Sequence, residues 1–191
     1  MARSLILWRR LDLQGHEFAD LTSDGTGWLL SGVALVVHEG RPCRLEYRIE
    51  CDAAWHTHHV TIRGDVGDVP AQLELSRNAG GEWRANDAIV PAVDSCIDVD
   101  LGFSPSTNLL PIRRLGLAVG EHASVRAAWV RFPELTIELL EQTYTRIGET
   151  TYLYESAGGA FRRELSVNRD GFVLDYPGLW SAEAATTDDR E

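Results

Sequence analysis

At 191 residues, with 44% apolar and 25% charged side chains, the chain can bury a core without disulfides and most simply forms one domain. A formal charge of −11 argues against a general nucleic-acid binder, which needs a basic face, and disfavours adhesion to an anionic membrane. All eighteen basic residues are arginine, which removes Schiff-base and lysine general-base chemistry outright.

In chain order, MARSLILWRR carries an apolar run too short for a signal-peptide core or a membrane span. Trp28–His38 reads as a first long strand with a glycine near its middle, and residues 39–42 as a turn. Arg44–Cys51 alternates, with Leu45, Tyr47 and Ile49 on one face and Glu46, Arg48 and Glu50 on the other. Trp55–Gly64, Gln72–Ser76 and a short strand at Trp83 follow. Cys96–Leu101, if extended, turns Cys96, Asp98 and Asp100 to one side. Leu109–Leu117 is the one helix candidate, with Asn108 as N-cap and Pro111 in its first turn. Ser124–Phe132, Leu135–Tyr144, Thr151–Tyr154, Phe161–Val167 and Phe172–Asp175 complete the strands, and Ser181–Glu191 reads as small, acidic and frayed. About ten short strands at hairpin spacing predict a mainly β fold: one large curved antiparallel sheet, curled into an incomplete, half-open barrel with few short helices. The expected organisation is one domain over residues 1–182 and a flexible acidic tail over 183–191. Three cysteines without a CxxC pair suit a reducing compartment, so a cytoplasmic protein with no membrane span is expected.

The block DSCIDVDLGFSPSTNLLPIRRLGL, residues 94–117, carries most of the chemistry. It sets Asp98, Asp100, Ser104, Ser106, Thr107 and Asn108 ahead of Arg113 and Arg114, with apolar residues threaded between them. Polar groups buried without partners are costly, so this mixture points either to a site for a ligand with apolar and polar parts or to an internal ion-pair network. A third reading makes Asp98 and Asp100 an acid and base, since neighbouring carboxylates push their pKa values apart. The Trp55-His-Thr-His-His59 run invites a metal, but no further ligands are nominated and solvent-facing histidines explain it better. No GxSxG, HExxH, P-loop or GxGxxG motif is present, so no cofactor is expected. Aromatic residues recur through the strands and belong mostly to the core, although Trp and Tyr also suit a cavity for a ligand with a greasy portion and a head group.

CIDVDLGFSPSTNLLPIRRLGL, the AAWVRFP run ending at Pro133, Gln142-Thr-Tyr144, the opening Trp8-Arg, Gly27-Trp28 and the closing Asp175–Trp180 together resemble a bacterial family of unknown function described as glycolipid-binding. The likeness spans about residues 5–182. It implies a half-barrel similar to bacterial lipoprotein and lipid carriers, and non-enzymatic binding of an amphipathic molecule such as a glycolipid or acyl lipid in an apolar cavity. The candidate ligand-binding residues are Asp98, Asp100, Ser104, Thr107, Asn108, Arg113, Arg114, Trp129, Arg131 and Tyr144. The alternatives are an enzyme acting on a small polar metabolite through Asp98 and Asp100, and a protein-interaction module.

Overall fold

The computed structural model describes residues 3–187. Its first strands are β1 (Arg3–Arg10), β2 (Gly15–Ser23), β3 (Gly27–His38), β4 (Arg41–Asp52), β5 (Thr57–Val66), β6 (Val69–Arg77), β7 (Trp83–Ala85) and β8 (Ala88–Ile89). After β9 (Asp98–Leu101) comes the helix α1 (Leu109–Leu115), and then β10 (His122–Val130), β11 (Ile137–Arg146) and β12 (Thr151–Ser156). The last three are β13 (Phe161–Val167), β14 (Val173–Tyr176) and β15 (Trp180–Thr187).

All fifteen strands belong to one sheet, ordered β8-β7-β6-β5-β4-β3-β2-β1-β15-β14-β13-β12-β11-β10-β9. Each wing is a meander of sequential neighbours, and β1 and β15 join the wings with Ser4 opposite Thr187. Pairing is antiparallel throughout except between β9 and β10, which run parallel because the chain crosses the sheet between them. The outermost strands, β8 and β9, do not pair, so the sheet is strongly curved but open, as expected. A few single bonds span the gap. The Thr57 amide donates to the Ile97 carbonyl at 3.2 Å, and Arg77 Nε and Trp83 Nε1 donate to the Cys96 carbonyl at 2.9 and 3.0 Å.

The alternation read in β4 is the rule for the curved face. Cys43, Leu45, Tyr47, Ile49 and Cys51 turn inward, while Arg44, Glu46, Arg48 and Glu50 face out. The concavity is filled rather than hollow: Trp8, Trp83, Phe103, Phe172, Leu109 and Leu110 are all fully buried in one cluster. Leu109 and Leu110 come from α1, whose preceding segment crosses the inside of the curve like a plug. Pro111 sits in the first turn of the helix, as read, and Gly116 ends it in the left-handed conformation (φ 54°) while donating to the Ile112 carbonyl. Asn108 stands at the N-cap but its side chain makes no cap, because it is engaged in tertiary bonds described below.

Two strands precede Trp28, where the sequence reading begins the sheet. In β1 the apolar run LILW hides the period of two, because outward Leu5 and Leu7 are apolar as well as inward Ile6 and Trp8. In β2 the polarity is inverted: Glu17 is buried and Phe18 exposed. At the other end, residues 183–187, expected within a flexible tail, are the outer part of β15 and pair with β1. Backbone pairing needs no apolar pattern, so a run of Ala, Ser and Thr completes the sheet. Residues 188–191 of the expected tail lie outside the described residues.

Candidate functional site

The polar residues of the 94–117 block divide into an inward and an outward set. Asp98, at the start of β9 and 1% exposed, receives the Arg114 guanidinium as a fork, Nε to Oδ1 at 3.0 Å and Nη2 to Oδ2 at 2.5 Å. Burial raises the Asp98 carboxyl above its ordinary range and Arg114 opposes that rise. Two residues on, burial pushes half-buried Asp100 up to about 6 against a hydrogen bond from Gln142 Nε2 at 2.8 Å. The same amide nitrogen donates to the Tyr154 hydroxyl at 3.0 Å. Thr107 Oγ1 accepts the Leu101 amide at 3.2 Å. Asn108 donates to the Pro105 carbonyl at 3.1 Å and accepts the Tyr144 hydroxyl at 2.8 Å. Asp98, Thr107, Asn108, Arg114 and Tyr144 are therefore brought together as an internal clamp.

A second buried cluster holds the front of the plug. Glu17 of β2 is 1% exposed, and its Oε1 accepts Ser104 Oγ at 2.5 Å and the Tyr47 hydroxyl at 2.6 Å. Ser106 Oγ lies 2.6 Å from Ser104 Oγ and 2.8 Å from the Tyr47 hydroxyl, closing the network. Tyr47 reaches from β4 to β2 by lying across β3 at Gly32, where a Cβ would stand 2.4 Å from its hydroxyl oxygen. Burial raises the Glu17 carboxyl to about 8, with the hydrogen bonds from Ser104 and Tyr47 and the charge of Arg10 acting the other way. Glu17 Oε2 and Arg10 Nη1 are both buried without a partner among the described residues. The plug is thus tied to one wing through Glu17 and Tyr47 and to the other through Tyr144. Sequence reading missed Glu17 and Tyr47. The available signal was the period of two in HEFADL, which sets Glu17 on one face with Ala19 and Leu21.

Arg113 turns the other way. Its guanidinium lies 5.8 Å from the Trp28 ring and 5.2 Å from the Trp55 ring, and those two rings stack at 4.2 Å. Trp55 holds a left-handed backbone (φ 68°), an unfavourable conformation for so bulky a residue. Asp52 braces that turn by accepting the amides of Ala54 and His56, each at 2.9 Å. Trp28 lines one of two clefts and Arg113 the other. One, of about 510 Å³, opens beside Trp28 and is lined by Asp24, Thr26, Arg48, Glu50, Asp52 and His58 among others. The other, of about 340 Å³, presents Arg113, Arg146 and Arg169. None of these three arginines meets a carboxylate among the described residues.

Trp129 and Arg131 belong to neither arrangement. Arg131 stacks over Trp129 at 4.9 Å and bonds Glu138 at 3.2 Å on the surface. His56 pairs with Asp52 and His59 with Glu74, each at 3.0 Å, and among the described residues no group of His, Cys, Asp and Glu forms a metal site. The three cysteines are free and buried. No helix among the described residues is long and apolar enough to cross a membrane.

A strongly curved, open antiparallel sheet wrapped around a polar-clamped plug defines the class of protein. Within that class, the family described as "Putative glycolipid-binding" matches residues 5–182, and the chain belongs to it. A solved structure of similar fold is that of a DUF1089 family protein from Pseudomonas aeruginosa, 34% identical with a TM-score of 0.77. That likeness covers 86% of this chain and 91% of the other. No curated protein matches the chain.

Proposed function

We propose that the protein binds, without catalysis, an amphipathic ligand of the glycolipid class, and holds its head group in the polar cleft beside Trp28. The observation that carries this reading is the cleft of about 510 Å³ that gathers carboxylates, hydroxyls and an arginine where β3 and β4 meet their flanking turns. Asp24, Glu50 and Asp52 can accept hydroxyl hydrogens of a sugar and Arg48 can donate to its oxygens, while the Trp28 ring turns inward with Cys51 and packs on Trp55. In the second cleft Arg113 and Arg169 suit an anionic substituent, whereas Arg146 is held by the carbonyls of Leu117, Gly148 and Glu149. Of the residues first nominated in the 94–117 block, Arg113 alone belongs to this proposed site. The rest are better used as the clamp that keeps the plug, and so the curvature, in place. The acid–base alternative draws less support, since Asp98 is enclosed and forked to Arg114. Free, buried cysteines suit a reducing compartment, which in this reading is the cytoplasm.

The test is organic extraction of the purified protein followed by mass spectrometry, repeated on Glu50→Ala, an outward residue of the cleft. The intact protein is expected to carry a lipid with a glycosyl head group, and the variant to carry much less while melting at nearly the same temperature. Repeated extracts free of lipid would sink the proposal.

A further inference from the structure

If the protein holds such a ligand, its hydrocarbon portion has to lie somewhere. The interior offers no room, because Trp8, Trp83, Phe103, Phe172 and the leucines of α1 fill the curve. The outer face of β3 does offer a place. Alternation along this strand turns Leu30, Ala34 and Val36 inward and Leu29, Ser31, Val33, Leu35 and Val37 outward. In an ordinary half-buried strand the outward set would be polar. Here four of the five residues are apolar, and none of the four belongs to the core cluster. Phe18 stands beside Val33 on β2, with Leu7 beyond it on β1, so the apolar surface widens around Val33. Phe18 is 39% and Leu35 50% exposed.

Both ends of this stripe open into clefts. Leu29 lines the polar cleft beside Trp28, and Leu35, Val37 and Pro42 line a cleft of about 470 Å³ at the far end of the strand. Between them the character changes once. Ser31 sits in a polar row with Asp20 on β2 and Arg48 on β4, and Arg48 also lines the Trp28 cleft. From the head-group cleft outward the order is therefore polar cleft, polar row, apolar stripe, apolar-lined cleft. That is the polarity profile of a sugar, a hydrogen-bonding linkage and an alkyl chain. Val33 to Val37 spans about 14 Å at strand rise.

We infer that the alkyl chain of the ligand lies on the outer face of the sheet, along β3 from Val33 to the cleft at Leu35 and Val37. This rests on the head-group reading above. Width argues for a single chain over a second protein surface. On the β4 side the stripe is bounded by Arg44 and Glu46, bonded to each other at 2.7 Å, and on the β2 side by His16 and Asp20. Stable protein interfaces bury about 800 Å² per partner, much of it apolar at the centre, whereas this stripe is one strand wide except at Val33, where Phe18 and Leu7 extend it.

Octyl and dodecyl maltoside, each below its critical micelle concentration, provide the test by isothermal titration against the intact protein. Two buried methylenes are worth about tenfold, so the dodecyl compound should bind at least about tenfold more tightly than the octyl one. Val33→Glu and Leu35→Glu are expected to abolish that difference. Leu35→Ser, at a half-exposed position, serves as the milder variant should either glutamate disturb folding. A chain-length gain that survives all three substitutions would place the hydrocarbon elsewhere and overturn the inference. Absence of any gain in the intact protein would overturn it too. So would sedimentation as a dimer that Val33→Glu converts to monomer, because the stripe would then be covered by a second copy. The head-group reading is judged separately, by lipid extraction and Glu50→Ala.

Discussion

Replacing Glu17 by Gln should make the protein more stable at pH 8 relative to pH 5, and the size of the effect follows from where the carboxyl sits. Its pKa is raised from 4.5 to about 8 by burial, so between those values the folded protein keeps a proton that the unfolded chain has released. Stability therefore falls as pH rises through that window, at about 1.4 kcal/mol per pH unit, for a total of about 5 kcal/mol. Below the window both states are protonated and the penalty vanishes; above it the penalty is constant. Glutamine has nearly the same shape and cannot ionise, so it removes the slope. Any hydrogen bond it makes badly adds an offset that does not vary with pH. Asp98 and Asp100 also have raised pKa values, but they contribute alike to both proteins and cancel in the difference. The assay is thermal unfolding of wild type and Glu17→Gln in buffers from pH 5 to pH 8.5. Between pH 5 and pH 8.5 about 4 kcal/mol of that total is lost, and for a domain of this size each kcal/mol moves the melting temperature by about 2–4 °C, so the gap between the two curves should open by roughly 8–16 °C. A gap that stays constant with pH, or closes as pH rises, would refute the assignment of a buried, protonated Glu17.

Two other substitutions probe the same architecture. Arg114→Ala leaves the Asp98 carboxyl buried without its fork and should cost about 3–5 kcal/mol in urea unfolding, with Asp98→Asn in the same chain recovering part of the loss. Gly32→Ala drives a methyl into the Tyr47 hydroxyl and the Phe18 carbonyl and should cost about 1–3 kcal/mol, less when Tyr47→Phe is added to remove that hydroxyl.

What could be read beforehand was whatever is local in the chain. The period of two in β4 and the turn residues around it placed the central strands, and Pro111 placed the start of α1, because these signals act over a few residues. Glu17 escaped because it reverses the rule that alternation relies upon, with the acid inside and Phe18 outside. The block 94–117 was correctly seen as chemically dense, yet neighbouring arginines with the same side chain went to opposite fates. Arg114 turns in to Asp98, and Arg113 turns out to Trp28 and Trp55. That division depends on which side of α1 faces the curve, which no local pattern states. The Trp28–Trp55 stack was equally hidden, since the two residues meet only once β3, β4 and β5 are in register. Tertiary bonds also claimed Asn108, whose capping potential was plain from its position.

The seam at β1 and β15 carries a consequence for how the molecule is made. Apart from the parallel β9–β10 pair, each wing of the sheet grows by hairpins between consecutive strands and can form as its segment leaves the ribosome. The two strands that unite the wings come from opposite ends of the described chain, Ser4 opposite Thr187, so no partial product of synthesis can pair them. Until β15 emerges, β1 is a bare edge with open hydrogen-bonding groups, and an edge of that kind recruits strands from other chains. The period of greatest risk for aggregation is therefore set by the time taken to translate from β1 to β15, and the emergence of β15 ends it.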